Sequence, residues 1–344
     1  MSPPPPFPNL PTIPPASPSL TNPPHETTPR KIALSFLATE QSEGAGARVR
    51  RSIGSPKLRR LSPFLMLDHF SISPGAGFPD HPHRGQETIT YLLAGAVDHE
   101  DFAGNRGTIE TGDLQFMTAG RGVVHAEMPR QTESADGIGS GSANVNVNVG
   151  LQLWVDLPRR LKMCEPRYRD LRAGEIPRVV VDAGRVEVRV ISGRSHGVDS
   201  VRELAYTPVW LLDVRIRPGG RIVQALPVGW NAFAYTIAGT TVFGGAGGDG
   251  QGGGQQTVPQ HHNVVFEQRG DTVLAEVPGD AAETGHFILV AGVPLDQEVV
   301  QYGPFVLGSR EEVYQALRDY STCSNGFERA EGWRSEIGRA MMGR

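Results

Sequence analysis

The chain has 344 residues, a formal net charge of −4, 42 glycines and 28 prolines. This is a globular composition rich in turns, and the near-balanced charge gives the whole molecule no pull toward nucleic acid or an anionic membrane. Two cysteines, Cys164 and Cys323, stand far apart with no metal-binding spacing, which argues against a zinc finger or a disulfide framework and suits a reducing compartment. No apolar run reaches the roughly 18 residues of a membrane helix, and the N-terminus lacks a secretory pattern, so neither a span nor a leader is expected.

In chain order, residues 1–30 are dominated by proline and predict a disordered or polyproline tail. From residue 31 the pattern becomes one of short strands. Ile89–Leu93 runs into Ala94-Gly95. Leu151, Leu153 and Val155 alternate with polar or amphipathic neighbours, as do Val186, Val188 and Val190, and Val214 with Ile216 before the turn Pro218-Gly219-Gly220. This period of two, punctuated by glycine and proline, predicts antiparallel β-structure. Residues 131–149 and 244–254 are low-complexity insertions, the first expected as a mobile loop and the second as a hairpin tip. Helix is expected late: Ser309 and Glu312 form a capping pattern before Val313, Leu317 and Tyr320, and residues 327–342 suggest a second helix.

The chain also repeats itself weakly. Tyr91-Leu92-Leu93-Ala94-Gly95 resembles Tyr235-Thr236-Ile237-Ala238-Gly239, and each is followed by a Gly-Asp turn, Gly112-Asp113 and Gly270-Asp271. Two copies of one β-barrel or jelly-roll unit follow from this, placed at 31–165 and 166–344.

Chemistry concentrates in two short pieces, Asp80-His81-Pro82-His83-Arg84-Gly85 and Val124-His125-Ala126-Glu127-Met128. Each pairs ligand types at i and i+2, which share one face of a strand. Two such strands side by side would converge His81, His83, His125 and Glu127 on one metal ion. The competing reading is ordinary surface or core histidines; the doubled spacing favours metal. Three imidazoles and a carboxylate without thiolate argue against structural zinc and copper(I), while calcium and magnesium prefer oxygen shells. Iron(II), manganese(II), nickel(II), cobalt(II) and copper(II) remain open, with two free positions on an octahedral ion. Counting through the repeat places Ala225, Pro227 and Glu283 at the equivalent positions, so the second unit is expected to lack ligands. His261, His262 and His286 read as structural or surface residues. His69 and His99 read as core or loop residues, with a supporting role for a ligand as the alternative.

Several longer motifs carry a resemblance: Gly46–Gly54, FPDHPHRGQETITYLLAG (78–95), GDLQFMTAGRGVVHAEMP (112–129), QYGPFVLGSREEVYQAL (301–317) and NGFERAEGW (325–333). In this order they resemble the pirin family of the cupin superfamily. The resemblance implies a bicupin, two antiparallel β-barrels with one iron, Fe(II) or Fe(III), in the N-terminal barrel. Its ligands match His81, His83, His125 and Glu127. It further implies a monomeric, iron-dependent co-regulator of Rel-type transcription factors in nucleus and cytoplasm, with quercetin 2,3-dioxygenase activity in some members.

Two functions follow. In the first, the metal's oxidation state alters affinity for a transcription factor or protein–DNA complex. The strip Arg48, Arg50, Arg51, Lys57, Arg59 and Arg60, which contains no acid within 46–60, is its candidate contact. The competing view of that strip is a charged strand edge protected from pairing. In the second, a flavonol and O2 meet at the iron, with Glu127 taking the flavonol's hydroxyl proton.

Overall fold

The structure is a computed structural model that describes residues 27–130, 147–201, 204–244 and 254–339. Alternating sequences become long antiparallel strands, as expected. Gln86–Ala94 lies inside a seven-stranded sheet, flanked by Leu114–Thr118 and Asn148–Asp156 and extended by Phe64–Ile72, Ala47–Arg51 and Thr39–Glu43. Asn231–Ala238 occupies the same place in a second seven-stranded sheet, flanked by His262–Phe266 and Gly285–Gly292 and extended by Val209–Ile216, Val186–Ser192 and Arg178–Val181. Each of these sheets faces a four-stranded partner: Phe78–His83, Val123–Pro129, Ala96–Asp101 and Arg106–Glu110 in the first unit, Arg221–Ala225, Thr272–Glu276, Thr241–Phe243 and Gln256–Val258 in the second. The chain is thus two jelly-roll units of one topology. The repeat read from Tyr91 and Tyr235 is real, although each unit is a pair of sheets and not a closed barrel.

The two large sheets pack against each other. Ile89, Tyr91, Leu114, Phe116, Leu151 and Leu153 from one meet Leu211, Phe233, Tyr235, Val265, Ile288 and Val290 from the other in one core. The alternate residues of the same strands point into the units. Val186, Val188, Val190, Val214 and Ile216 fill the second unit together with Phe243, Phe266 and Phe287. In the first unit the inward residues include Thr90, Gln152 and Trp154, and this polar lining is what distinguishes it. The two tyrosines of the repeat reach across the interface in opposite senses: Tyr91 Oη donates to Asp213 at 2.7 Å, and Tyr235 Oη lies 3.1 Å from His69 Nδ1. Register places His69 opposite Leu151 and Asp213 opposite Ile288, so the two contacts are pseudo-symmetric.

Segments cross the boundary expected at 165/166. Ile32–Leu37 pairs with His262–Phe266 and so joins the second unit's sheet. Arg167–Tyr168 pairs with Leu114–Thr118 of the first unit. The C-terminal strands Val300–Tyr302 and Phe305–Leu307 and helix α1, Arg310–Ser321, pack on the outside of the first unit, where Phe305, Leu307, Val313, Ala316 and Phe327 enclose Val124. Ser309 caps α1 by accepting from Glu312 N, as the capping pattern predicts, while the Glu312 carboxylate accepts from Gly308 N. Among the described residues α1 is the one α-helix longer than a single residue. The stretch expected to form a second helix holds a 3-10 turn, Glu328–Ala330, which Gly332 at positive φ ends; helical backbone returns only at Arg339, and residues 340–342 lie outside the described residues.

The proline-rich expectation falls on residues 1–26, outside the described residues, and its last part is anchored: Arg30 is buried and donates to the carbonyls of Gly270, Trp230 and Pro227. Of the first insertion, 131–146 lies outside the described residues, whereas Asn148 and Val149 belong to a strand. Residues 245–253 of the second also lie outside; the strands on either side pair as a hairpin.

Candidate metal centre

Phe78–His83 and Val123–Pro129 run antiparallel as neighbours, with His81 directly opposite His125. The i, i+2 spacing puts His81, His83 and His125 on the face that looks into the first unit. Ring centroids are 4.4 Å apart for His81–His125, 4.9 Å for His81–His83 and 5.0 Å for His83–His125. One nitrogen from each ring falls in a group within 4.8 Å of one another.

The hydrogen bonds fix which nitrogens are available. His81 Nδ1 lies 2.8 Å from Pro79 O, so it carries the proton and leaves Nε2 as a lone pair facing inward. His83 Nδ1 meets the Gln86 amide at 2.7 Å, while Gln86 Oε1 has no partner. Turning that amide over lets Nδ1–H donate to the oxygen and leaves His83 Nε2, buried and without a partner, as a lone pair. His81 Nε2 and His125 Nε2 are only 3.0 Å apart. Burial, reinforced by the neighbouring imidazoles, holds His83 and His125 well below the usual histidine range, so both are neutral near pH 7. Neutral rings with convergent lone pairs fit a bound cation. Trp154 stands edge-on to His83 at 5.1 Å and walls the group on one side.

Glu127 is buried on the same strand but stands aside. A register shift separates it from His125, and its oxygens accept from Thr90 Oγ1 at 3.2 Å and Gln152 Nε2 at 3.0 Å. Its carboxylate lies outside the close nitrogen group. The sequence reading missed Gln86, Thr90, Gln152 and Trp154. The signal available was a run of polar residues at inward positions of strands whose other face is apolar.

His99 pairs with Glu127 across the strands, is buried, and stacks on Tyr168 with centroids 6.1 Å apart. His69 lies at the interface between units, beside His261, away from the triad. His286 Nε2 contacts Asp213 Oδ1 at 2.6 Å. In the second unit, the pairs that correspond by topology to the histidine strands are Ile222 opposite Ala275 and Gln224 opposite Val273. The count through the repeat therefore chose the wrong positions. Gly270-Asp271 leads into Thr272–Glu276, the counterpart of the His125 strand, whereas Gly112-Asp113 leads into Leu114–Thr118. The second unit holds no such histidine cluster among the described residues.

The basic strip is not free of acid in space. Arg48 and Arg50 bond Glu40, and Arg51 bonds Glu43 and the buried Asp68, all from adjacent strands. Nor is it an edge, since Thr39–Glu43 covers it. Lys57 and Arg60 donate to the carbonyls of Leu37 and Val299.

Comparison with known proteins gives matches to the Pirin family model over residues 46–155 and to the Pirin C-terminal cupin domain over residues 211–326. Pirin from Homo sapiens is 46 % identical over 90 % of this chain and 98 % of that protein. A pirin-like protein from Solanum lycopersicum is 44 % identical over 90 % of this chain and 97 % of its own length. Among solved structures, a quercetin 2,3-dioxygenase from Acinetobacter baumannii superposes with a TM-score of 0.74 at 27 % identity, covering 86 % of this chain and 98 % of that one.

Proposed function

Because the chain belongs to the pirin family, we propose that it binds one iron ion through His81, His83, His125 and Glu127 and acts as a dioxygenase on a flavonol of the quercetin class. The observation that carries the metal reading is the convergence of three imidazoles, of which His83 and His125 are buried and neutral, with an unpartnered His83 Nε2. Glu127 completes the set by turning its carboxylate toward the rings while Thr90 and Gln152 stay on its outer lone pairs. The likeness to a quercetin 2,3-dioxygenase supports the substrate class. When bound, the ion supplies a Lewis acid and a redox-active centre beside the substrate. The chain supplies the rest. Glu127 takes the proton of the flavonol 3-hydroxyl, Gln152 and Thr90 orient the Glu127 carboxylate, and Trp154 with the buried strand faces keeps water away.

The test is metal analysis of the purified chain, followed by quercetin absorbance under air with Fe(II) and with other first-row ions. Turnover that a His81→Ala, His83→Ala variant loses is expected. Stoichiometric metal without turnover by any of these ions would overturn the enzyme reading and leave the metal reading standing.

A second reading is a redox-sensitive transcriptional co-regulator, acting in nucleus and cytoplasm. It is favoured by a row of contacts leading outward: Glu127 accepts from Gln152, Gln152 pairs in register with Asp68, and Asp68 is held bidentately by Arg51 at 2.9 and 2.7 Å. A charge change at the triad has a polar route to the basic strip along it. The pairing of that strip with Glu40 and Glu43 places this reading second. Its test is the affinity of the Fe(II) and Fe(III) forms for a Rel-type factor bound to DNA; equal affinities would remove it.

A further inference from the structure

The two strands that carry the triad have outer faces as well, and one segment of the chain grips both. In Asp80-His81-Pro82-His83-Arg84 the odd positions face inward, and Asp80 and Arg84, flanking the histidines, face the C-terminal segment. Arg84 is buried although charged, and every nitrogen of its guanidinium is engaged. Nη1 donates to Asp319 of α1 at 2.7 Å and Nη2 to Asn325 O at 2.5 Å, while the group lies 4.6 Å over the Phe327 ring. Nε donates at 2.6 Å to Arg121 O, in the turn that leads into the His125 strand. One side chain thus ties both histidine strands to the end of α1.

The backbone repeats the arrangement. Arg84 N donates to Pro304 O and Val306 N to Arg84 O. Lys162, itself buried, donates to Gly85 O, Val306 O and Asp156. Ser335 N approaches the Asp80 carboxylate at 3.3 Å. The segment sits so close that two glycines are required. A Cβ on Gly85 would stand 2.0 Å from Val306 O, and one on Gly326 would stand 2.6 Å from Arg121 O. Val124, beside His125, is enclosed by Phe305, Leu307, Val313, Ala316 and Phe327.

We infer that residues 304–327 form a positioning strap for the metal centre, with Arg84 and Asp319 as its positioning residues, so that strap docking and metal binding strengthen each other. The inference rests on the metal reading above. The energetic logic is that an imidazole trio must be held before the ion arrives, and backbone freedom in either strand would spread the lone pairs. Groups that orient ligands without touching the metal typically set roughly 10–100-fold of its affinity, and coupling between metal and strap is necessarily reciprocal.

The experiment is Co(II) titration of the full chain under chelator competition, reading affinity and the d–d absorption band. Asp319→Asn is expected to lower affinity roughly 10–100-fold and to alter the band, while the near-UV circular dichroism of the folded chain is retained. Phe243→Ala, which loosens the second unit far from the strap, is expected to leave affinity and band unchanged. Gln315→Ala, which removes one donor to Asp319, is a milder variant expected to move affinity in the same direction. In the unaltered protein, Co(II) is expected to slow amide exchange across 304–327, a readout that needs no variant to fold. Wild-type affinity in Asp319→Asn, an equal loss in Phe243→Ala, or exchange in 304–327 that ignores Co(II) would each overturn the strap while the metal reading stands. A wild-type chain that takes up neither Co(II) nor Fe(II) overturns the metal reading itself, and the strap with it.

Discussion

Glu87 makes the sharpest stability prediction. It is buried at the junction of the units, where it accepts from Thr118 Oγ1 at 2.7 Å and from the backbone N–H of Tyr206 at 3.1 Å. Arg167, stacked 3.4 Å over the Tyr206 ring, is the nearby cation, and Cys164 is the nearby thiol. Burial outweighs these hydrogen bonds and pushes the carboxyl up from 4.5 to about 7. The folded state then binds more protons than the unfolded state between those values, so stability falls as pH rises through that window and is flat above it. At 1.36 kcal/mol per tenfold in proton affinity, the whole effect is about 3 kcal/mol. Other groups titrate in the same range with the opposite sign: His83 and His125, held low, gain stability for the fold as pH rises toward 6.5. A difference isolates Glu87. Urea unfolding of the metal-free wild type and of Glu87→Gln, from about pH 4 to pH 8, should show the wild type losing about 3 kcal/mol relative to the variant across the range. A wild-type minus variant difference that is constant with pH would refute the reasoning, because it would mean that the carboxyl is ionised throughout.

Three further outcomes follow from the geometry. Saturating the site with Fe(II) at about 100 times its dissociation constant should stabilise the wild type by about 2.7 kcal/mol and leave His83→Ala unchanged, read as a shift in the anaerobic urea midpoint. Arg51→Ala strands the buried Asp68 and should cost about 3 kcal/mol, whereas Arg48→Ala, whose partner Glu40 is solvated, should leave the melting temperature essentially unmoved; equal losses would contradict the assignment. Phe243→Ala, in the aromatic cluster with Phe266 and Phe287, should cost about 3–5 kcal/mol yet retain full metal stoichiometry, measured by melting and metal analysis.

What the sequence revealed and what it hid divide along physical lines. Alternation reports which face of a strand is buried, and it predicted correctly that His81, His83 and His125 share one face. It does not report which sheet a strand joins. Ile32–Leu37 reads as an ordinary first strand, and only pairing with His262–Phe266 places it in the second unit. Charge counted along the chain has the same blindness. Residues 46–60 contain no acid, but Glu40, Glu43 and Asp68 arrive from neighbouring strands. The Gly-Asp turn misled for a related reason: Gly112 and Gly270 both take positive φ, and a glycine before a strand is too common a device to say which strand follows.

Glu127 is the subtlest case. Spacing alone puts it beside His125, and the structure keeps it buried and inward, but the register shift between the two turns its oxygens toward Thr90 and Gln152 of the opposite sheet. Two hydrogen bonds to a carboxylate, one of them long, are weaker competition than a divalent cation at the focus of three imidazoles. The same two donors can remain on the carboxylate's outer lone pairs as it turns. The arrangement therefore favours a ligand held in reserve over a carboxylate with no part in metal binding, and a Gln152→Ala variant separates these alternatives. A ligand in reserve loses its orienting donor and changes the metal's spectrum, whereas a carboxylate with no part in metal binding leaves the spectrum of the loaded protein as it was.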